Sequence, residues 1–194
     1  VGEVVGGPAK IAYLVSSEDE GVPFALGHWL RTGLRVHVAD QPLKLGSVDF
    51  AKGTLILKVH ETPESLHDSG AEAARKFGLR IHATDTGLVE QGAHLGGPDV
   101  RWVKPPKVAM LVDRPASYTV GHTWYLFDQV WTYPVTRVAG RSLASLDLTK
   151  YSVLILPDGN YSDSDAPKEP TVSRLKEWVR SGGRLCLCVA KNVD

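Results

Sequence analysis

Sulfur and surplus charge are both scarce in this chain. Its 194 residues include two cysteines and one methionine, and 22 Lys and Arg balance 22 Asp and Glu. A formal net charge of zero leaves no electrostatic footprint for nucleic acid or an anionic membrane surface. No apolar run approaches the roughly 20 residues needed to span a bilayer. Residues 1–10 lack the basic start and long apolar segment of a signal peptide. Two cysteines leave the redox compartment open. What is present, 43% hydrophobic and 23% charged residues, is ordinary for one large or two small globular domains. The chain begins at Val1 without a Met and ends at Asp194 directly after a strand-like run, so it is expected to be a piece of a longer protein.

The cysteines, Cys186 and Cys188, stand two apart in an apolar run. On a strand, residues i and i+2 share a face with Cα atoms roughly 6.5 to 7 Å apart, at or beyond the limit of an unstrained disulfide. Buried free thiols acting as small hydrophobes are therefore expected, and a reactive or metal-binding Cys188 is the other reading. Nearby, Val153 to Leu156 is apolar without alternation, as in a strand buried on both faces of a parallel sheet, and Pro157-Asp158-Gly159 stops it. In open α/β sheets, ligands collect just beyond the carboxyl ends of such strands.

An internal repeat organises the rest. Lys10 to Val15 is matched by Lys107 to Val112, and Gly27-His28-Trp29-Leu30 recurs loosely in Gly121 to Leu126. Val48 to Lys52 before Thr54 to Leu57 matches Leu146 to Lys150 before Ser152 to Leu156, and Ala71 to Ala83 falls on Leu175 to Leu187. Each copy reads strand, helix, strand, strand, helix, strand. Strands are predicted near 10–15, 35–39, 54–59 and 79–83, then 107–112, 135–139, 152–157 and 184–189. Helices are predicted near 22–32, 64–77, 119–130 and 169–181, with Gly78 and Gly182-Gly183 as stops. The expected fold is α/β, with parallel sheets flanked by helices and built from two repeated βαββαβ units in strand order 2-1-3-4. The predicted division is a first unit at 1–97, a linker at 98–105 and a second unit at 106–194.

The second copy carries a family resemblance. Pro106 to Asp113, Gly121 to Asp128, Tyr133 to Val138, Tyr151 to Tyr161 and Leu175 to Gly183 resemble the region following the peptidase domain in large bacterial zinc carboxypeptidases of the carboxypeptidase A family. That region resembles class I glutamine amidotransferase-like domains, which have a flavodoxin-like α/β fold. The resemblance implies an accessory part of a hydrolase, secreted or periplasmic, whose partner is the peptidase domain of the same parent chain. Zinc is then expected only in that peptidase domain, and no cofactor in this piece.

The chemistry of both families can be looked for directly. A carboxypeptidase of this kind needs His-x-x-Glu and a distant His, because catalytic zinc takes three protein ligands and one water. No His-x-x-Glu occurs. The nearest arrangements, His82 with Asp85 and the group His60, Glu61, Glu64 and His67, read as strand-end hydrogen bonding and as a solvated loop at a helix start. An amidotransferase places a nucleophilic cysteine on a strand-to-helix elbow. Carried over on the motif from Gly183 to Val189, that elbow falls near Ala190 and Lys191, and in the first copy near Thr86, without a cysteine at either. The family's His and Glu lie later than Asp194, so the resemblance implies a fold kept and an activity lost.

A binding site at the carboxyl edge of the second sheet remains. Asp113 and Arg114 follow its first strand, Asp158, Gly159, Asn160 and Tyr161 follow its third, and His122 opens the helix between. An Asp-Arg pair and backbone amides around Gly159 suit a carboxylate, a polar peptide end or another small polar ligand. Against this stands the simpler reading that Asp113 and Asp158 cap turns and Arg114 pairs with one of them. Trp124, Tyr125, Phe127 and Trp131 read first as helix packing and second as an aromatic contact surface. Two functions are therefore in play: a non-catalytic accessory region, or an amidotransferase-like small-molecule hydrolase using Cys188.

Overall fold

The computed structural model describes residues 2–61, 66–113, 118–158 and 167–188. Residues 1–105 and 106–194 form two compact units. The first contains β1 (Glu3–Val5), β2 (Ala12–Val15), α1 (Val22–Arg31), β3 (Val36–Ala39), β4 (Leu43–Leu45), β5 (Val48–Phe50), β6 (Leu55–Lys58), α2 (Leu66–Phe77), β7 (Arg80–Thr84), β8 (Gln91–Gly92) and β9 (Val100–Trp102). The second contains β10 (Val108–Leu111), α3 (Tyr118–Tyr125), β11 (Val135–Val138), β12 (Val153–Leu156), α4 (Thr171–Arg180) and β13 (Arg184–Leu187). The protein is thus α/β, with mixed and parallel sheets flanked by helices.

The first unit is built on a six-stranded sheet of order β1-β7-β2-β6-β3-β9. β2 runs antiparallel to both β6 and β7, β3 runs antiparallel to β6 and β9, and only β1 and β7 pair in parallel. The parallel order 2-1-3-4 expected of this copy is therefore corrected to the split βαβ arrangement, in which each crossover helix spans an intervening antiparallel strand. The expected linker 98–105 is corrected as well, since Val100–Trp102 pairs with β3 as a sheet edge.

Burial on both faces explains why the strands of this sheet read like parallel ones. α1 and α2 cover one face, with His28 and Phe77 ring to ring at 5.8 Å. α1 presents Val22, Ala25, Trp29 and Leu30 at helical spacing and is closed by the Leu34 amide donating to the Trp29 carbonyl. α2 ends at Gly78, whose φ of 69° is the left-handed conformation that lets Leu79 N–H reach the Ala74 carbonyl. The opposite face is covered by a three-stranded antiparallel sheet, β5-β4-β8. Leu43, Phe50, Val89, Ala93 and Leu95 pack there against Ala12, Leu14, Ile56, Ala39 and Val100.

The second unit has a four-stranded sheet of order β11-β10-β12-β13 with every pairing parallel, the 2-1-3-4 order expected for that copy. Leu175 and Trp178 of α4 pack with Ala109, Leu111, Leu154 and Leu156, and Leu143 and Leu148 complete the cluster. α4 stops at Gly182 (φ 106°), where Gly183 N–H reaches the Trp178 carbonyl. β13 pairs only with β12 among the described residues, and that edge position overturns the expectation of buried thiols. Cys186 is exposed, Cys188 is half-buried and Leu187 is 62% exposed.

The two units differ in architecture, and the aligned pair Asp49 and Asp147 shows it. Asp49 lies in β5 with its carboxylate 3.9 Å from Lys44. Asp147 instead caps the 3-10 turn Leu148–Lys150, accepting from the Thr149 amide at 3.1 Å. Bonds from the Thr149 hydroxyl and amide hold its carboxyl below the usual carboxylate range.

Candidate functional site

The carboxyl edge of the four-stranded sheet is assembled by register. Met110 of β10 sits opposite Ile155 of β12, so Asp113 and Asp158, each three residues further on, leave neighbouring strands at one level. Cys186 of β13 is opposite Ile155 on the other side, which puts Cys188 level with Pro157. The Cys188 amide donates to the Leu156 carbonyl at 3.0 Å and extends that ladder.

Asp113 is exposed, and its Oδ1 accepts the Gly140 amide at 2.5 Å. That bond ties the end of β10 to the end of β11, the turn-capping role weighed against ligand binding for this residue. Asp158 is half-buried at the end of β12. His122 is exposed on α3, and no described residue of α3 is fully buried. Arg114, Gly159, Asn160 and Tyr161 lie outside the described residues. The aromatic group on and after α3 is partly surface: Trp124 and Tyr125 are exposed, Arg137 stacks over Trp124 at 5.4 Å, and Phe127 meets Trp131 edge-on at 5.0 Å.

In the first unit, His67 and Asp85, both considered for zinc, have other partners. His67 contacts the hydroxyl of buried Tyr13 through Nδ1 at 2.5 Å, and Glu64 lies outside the described residues. Asp85 accepts the Lys10 amide at 2.9 Å and faces Lys10 Nζ at 3.4 Å. Among the described residues no group of three or more His, Cys, Asp or Glu is placed to hold a metal.

Glu61 is not the solvated loop residue the sequence suggested. Its side chain is 18% exposed, and its carboxylate faces Arg35 and His37 at 3.4 Å, His60 at 3.5 Å and Lys58 at 3.7 Å. These residues meet because Arg35 and His37 project from the same face of β3 on which β6 places Lys58, and the 3-10 turn Val59–Glu61 folds the carboxylate back over them. Arg35 also lies over the Trp102 ring at 5.2 Å. Burial, then the Lys58 charge, lowers the His37 pKa against the opposing pull of Glu61. His37 is 6% exposed, and its Nδ1 has no hydrogen-bond partner among the described residues. The signal in the sequence was the parity of Arg35 and His37 with Lys58 across paired strands, visible only once that pairing is known.

The small sheet was missed too, although Leu43-Lys-Leu-Gly-Ser-Val-Asp-Phe50 alternates apolar and polar residues about a two-residue Gly-Ser turn. That is a hairpin signature. The register of Leu45 with Val48 and the φ of 61° at Gly46 are what it implies. No family model matches the chain, and no curated protein or solved structure matches it.

Proposed function

We propose that this chain is a non-catalytic accessory region, binding or structural, of a bacterial zinc carboxypeptidase-like hydrolase. Its second unit is read as flavodoxin-like and related to class I glutamine amidotransferase-like domains. The observation that carries the binding role is the level exit of Asp113 and Asp158 from adjacent parallel strands, the position where open α/β sheets take ligands. The ligand class is a small polar molecule or a peptide end, and the parent's peptidase domain is the partner in the same chain. The backbone tie from Gly140 to Asp113 holds one wall of that edge in place. Amide resonances of Asp113, Gly140 and Asp158 should shift saturably when the chain is titrated with a short polar peptide such as Gly-Gly-Gly. Absence of any saturable shift up to about 10 mM, the limit of weak specific binding, removes the binding role.

A second reading, an amidotransferase-like hydrolase with a cysteine nucleophile, draws on one observation. Cys188 is a free thiol at the same carboxyl edge. His122 is the only histidine between residues 106 and 194, so it is the candidate base for a Cys-His pair within these residues. Iodoacetamide on the folded chain separates the readings: rapid alkylation of Cys188 that slows in a His122→Ala variant supports the enzyme. Thiols that react no faster than free cysteine leave the accessory region.

A further inference from the structure

A cleft in the first unit has a wall chemistry that selects a ligand. It opens between the β4–β5 hairpin and the end of β7, with a volume near 330 Å³, the low end of small-molecule sites. Leu45, Val48 and Phe50 form its apolar side, and His82, Asp85 and Glu90 stand on its polar side with no Lys or Arg in the lining.

Each polar group has a defined state. His82 meets the Phe50 ring edge-on at 5.3 Å, and neither ring nitrogen has a hydrogen-bond partner among the described residues. Burial is the main reason its pKa is lowered, so it faces the cleft as a neutral imidazole with one nitrogen able to accept. Asp85 is kept ionised chiefly by the Lys10 amide, and the exposed Lys10 ammonium offsets part of its charge. Glu90 accepts the Gly46 amide through Oε2 at 2.9 Å, while no described residue engages Oε1. The Glu90 charge is therefore the uncompensated one, beside an aromatic and aliphatic wall.

We propose that this cleft binds a small organic cation: a primary ammonium, held by Glu90 and the His82 imidazole, on a short apolar body lying against Leu45, Val48 and Phe50. An anion would enter against two carboxylates, of which only Asp85 has an ammonium beside it. A wholly apolar ligand would strip water from the imidazole and carboxylates without replacing their hydrogen bonds. A protonated amine satisfies both sides, and its three N–H donors match the acceptors available.

The test is a titration of the whole chain with 2-phenylethylammonium, followed by backbone amide NMR, beside the same titration with 3-phenylpropionate. The amine should saturate with a Kd in the millimolar range and shift Val48, Ala83, Thr86 and Glu90, while the carboxylate should produce no saturable shift. Glu90→Gln should weaken the amine by up to about fivefold, the range expected when one exposed charge pair is lost. Equal binding of amine and carboxylate, or no saturable shift with the amine, overturns the assignment. Those arms use the unaltered protein, so they decide the matter even if Glu90→Gln disturbs the hairpin through its bond to Gly46.

Discussion

Replacing Phe50 by Ala tests the architecture of the first unit more sharply than any site variant. If the unit were a parallel sheet, as its element string suggests, Phe50 would lie in the connection before the third strand, where truncation costs little. In the structure it is 2% exposed, packs with Ile56, Leu14 and Leu43, and meets His82 edge-on. Truncating a buried Phe removes its transfer free energy and leaves a cavity, together about 3–5 kcal/mol. The edge-on ring contact falls within that total. One optical midpoint does not say which of the two compact units has unfolded. Native-state hydrogen exchange at Leu14, Ile56 and Leu57, read against urea, reports the first unit alone. A loss below about 0.5 kcal/mol at those amides, the range of surface substitutions, would refute the two-sided burial of this sheet.

Two further predictions concern the second unit and the histidines. A Cβ added at Gly183 would stand 2.3 Å from the Trp178 ring, so Gly183→Ala should destabilise the second unit by about 1–3 kcal/mol, as overpacking does, measured by exchange at Leu154 and Ile155. His28, His37 and His82 all have pKa values lowered chiefly by burial. The unfolded chain then takes up protons below about pH 6.5 that the folded chain does not. Stability should therefore fall as pH drops from 7 towards 5, levelling once the folded histidines also charge. A urea midpoint that is unchanged or higher at pH 5.5 than at pH 7.5 would contradict this.

Position along the chain was legible in the sequence where a local signal existed. Val153 to Leu156 is a strand, α4 ends at Gly182, and α2 ends at Gly78, because apolar runs and left-handed glycines act over a few residues. Strand direction is not a local property. Leu55-Ile-Leu in β6 and Val-Leu-Ile-Leu in β12 are the same kind of run, one antiparallel to both neighbours and the other parallel to both. Each is covered on two faces, and an uninterrupted apolar strand reports that coverage and nothing about its neighbours. The site followed the same rule. Asp113 and Asp158 were found because they end strands, whereas the Glu61 group depends on cross-strand parity and stayed hidden.

What separates the two units is the connection between their second and third strands. In the first, residues 40–53 leave the sheet beside Ala39 and return to it. The Gly53 amide donates to the Ala39 carbonyl at 2.8 Å, and the Ala39 amide donates to the Thr54 carbonyl at 3.0 Å. A chain that re-enters where it left can only run back, so β6 is antiparallel to β3, and the excursion supplies the β4–β5 hairpin that covers the face. In the second unit, residues 139–152 must carry the chain from the carboxyl end of β11 to the amino end of β12. The turns Gly140–Ser145 and Leu148–Lys150 do this while burying Leu143 and Leu148 against the sheet, and Arg174 of α4 holds the path by donating to the Ala144 and Leu146 carbonyls. The candidate edge depends on that crossing. Only parallel strands end together, so only the second unit delivers Asp113 and Asp158 to one edge, while the first, with its strand ends alternating, forms its cleft between stacked sheets.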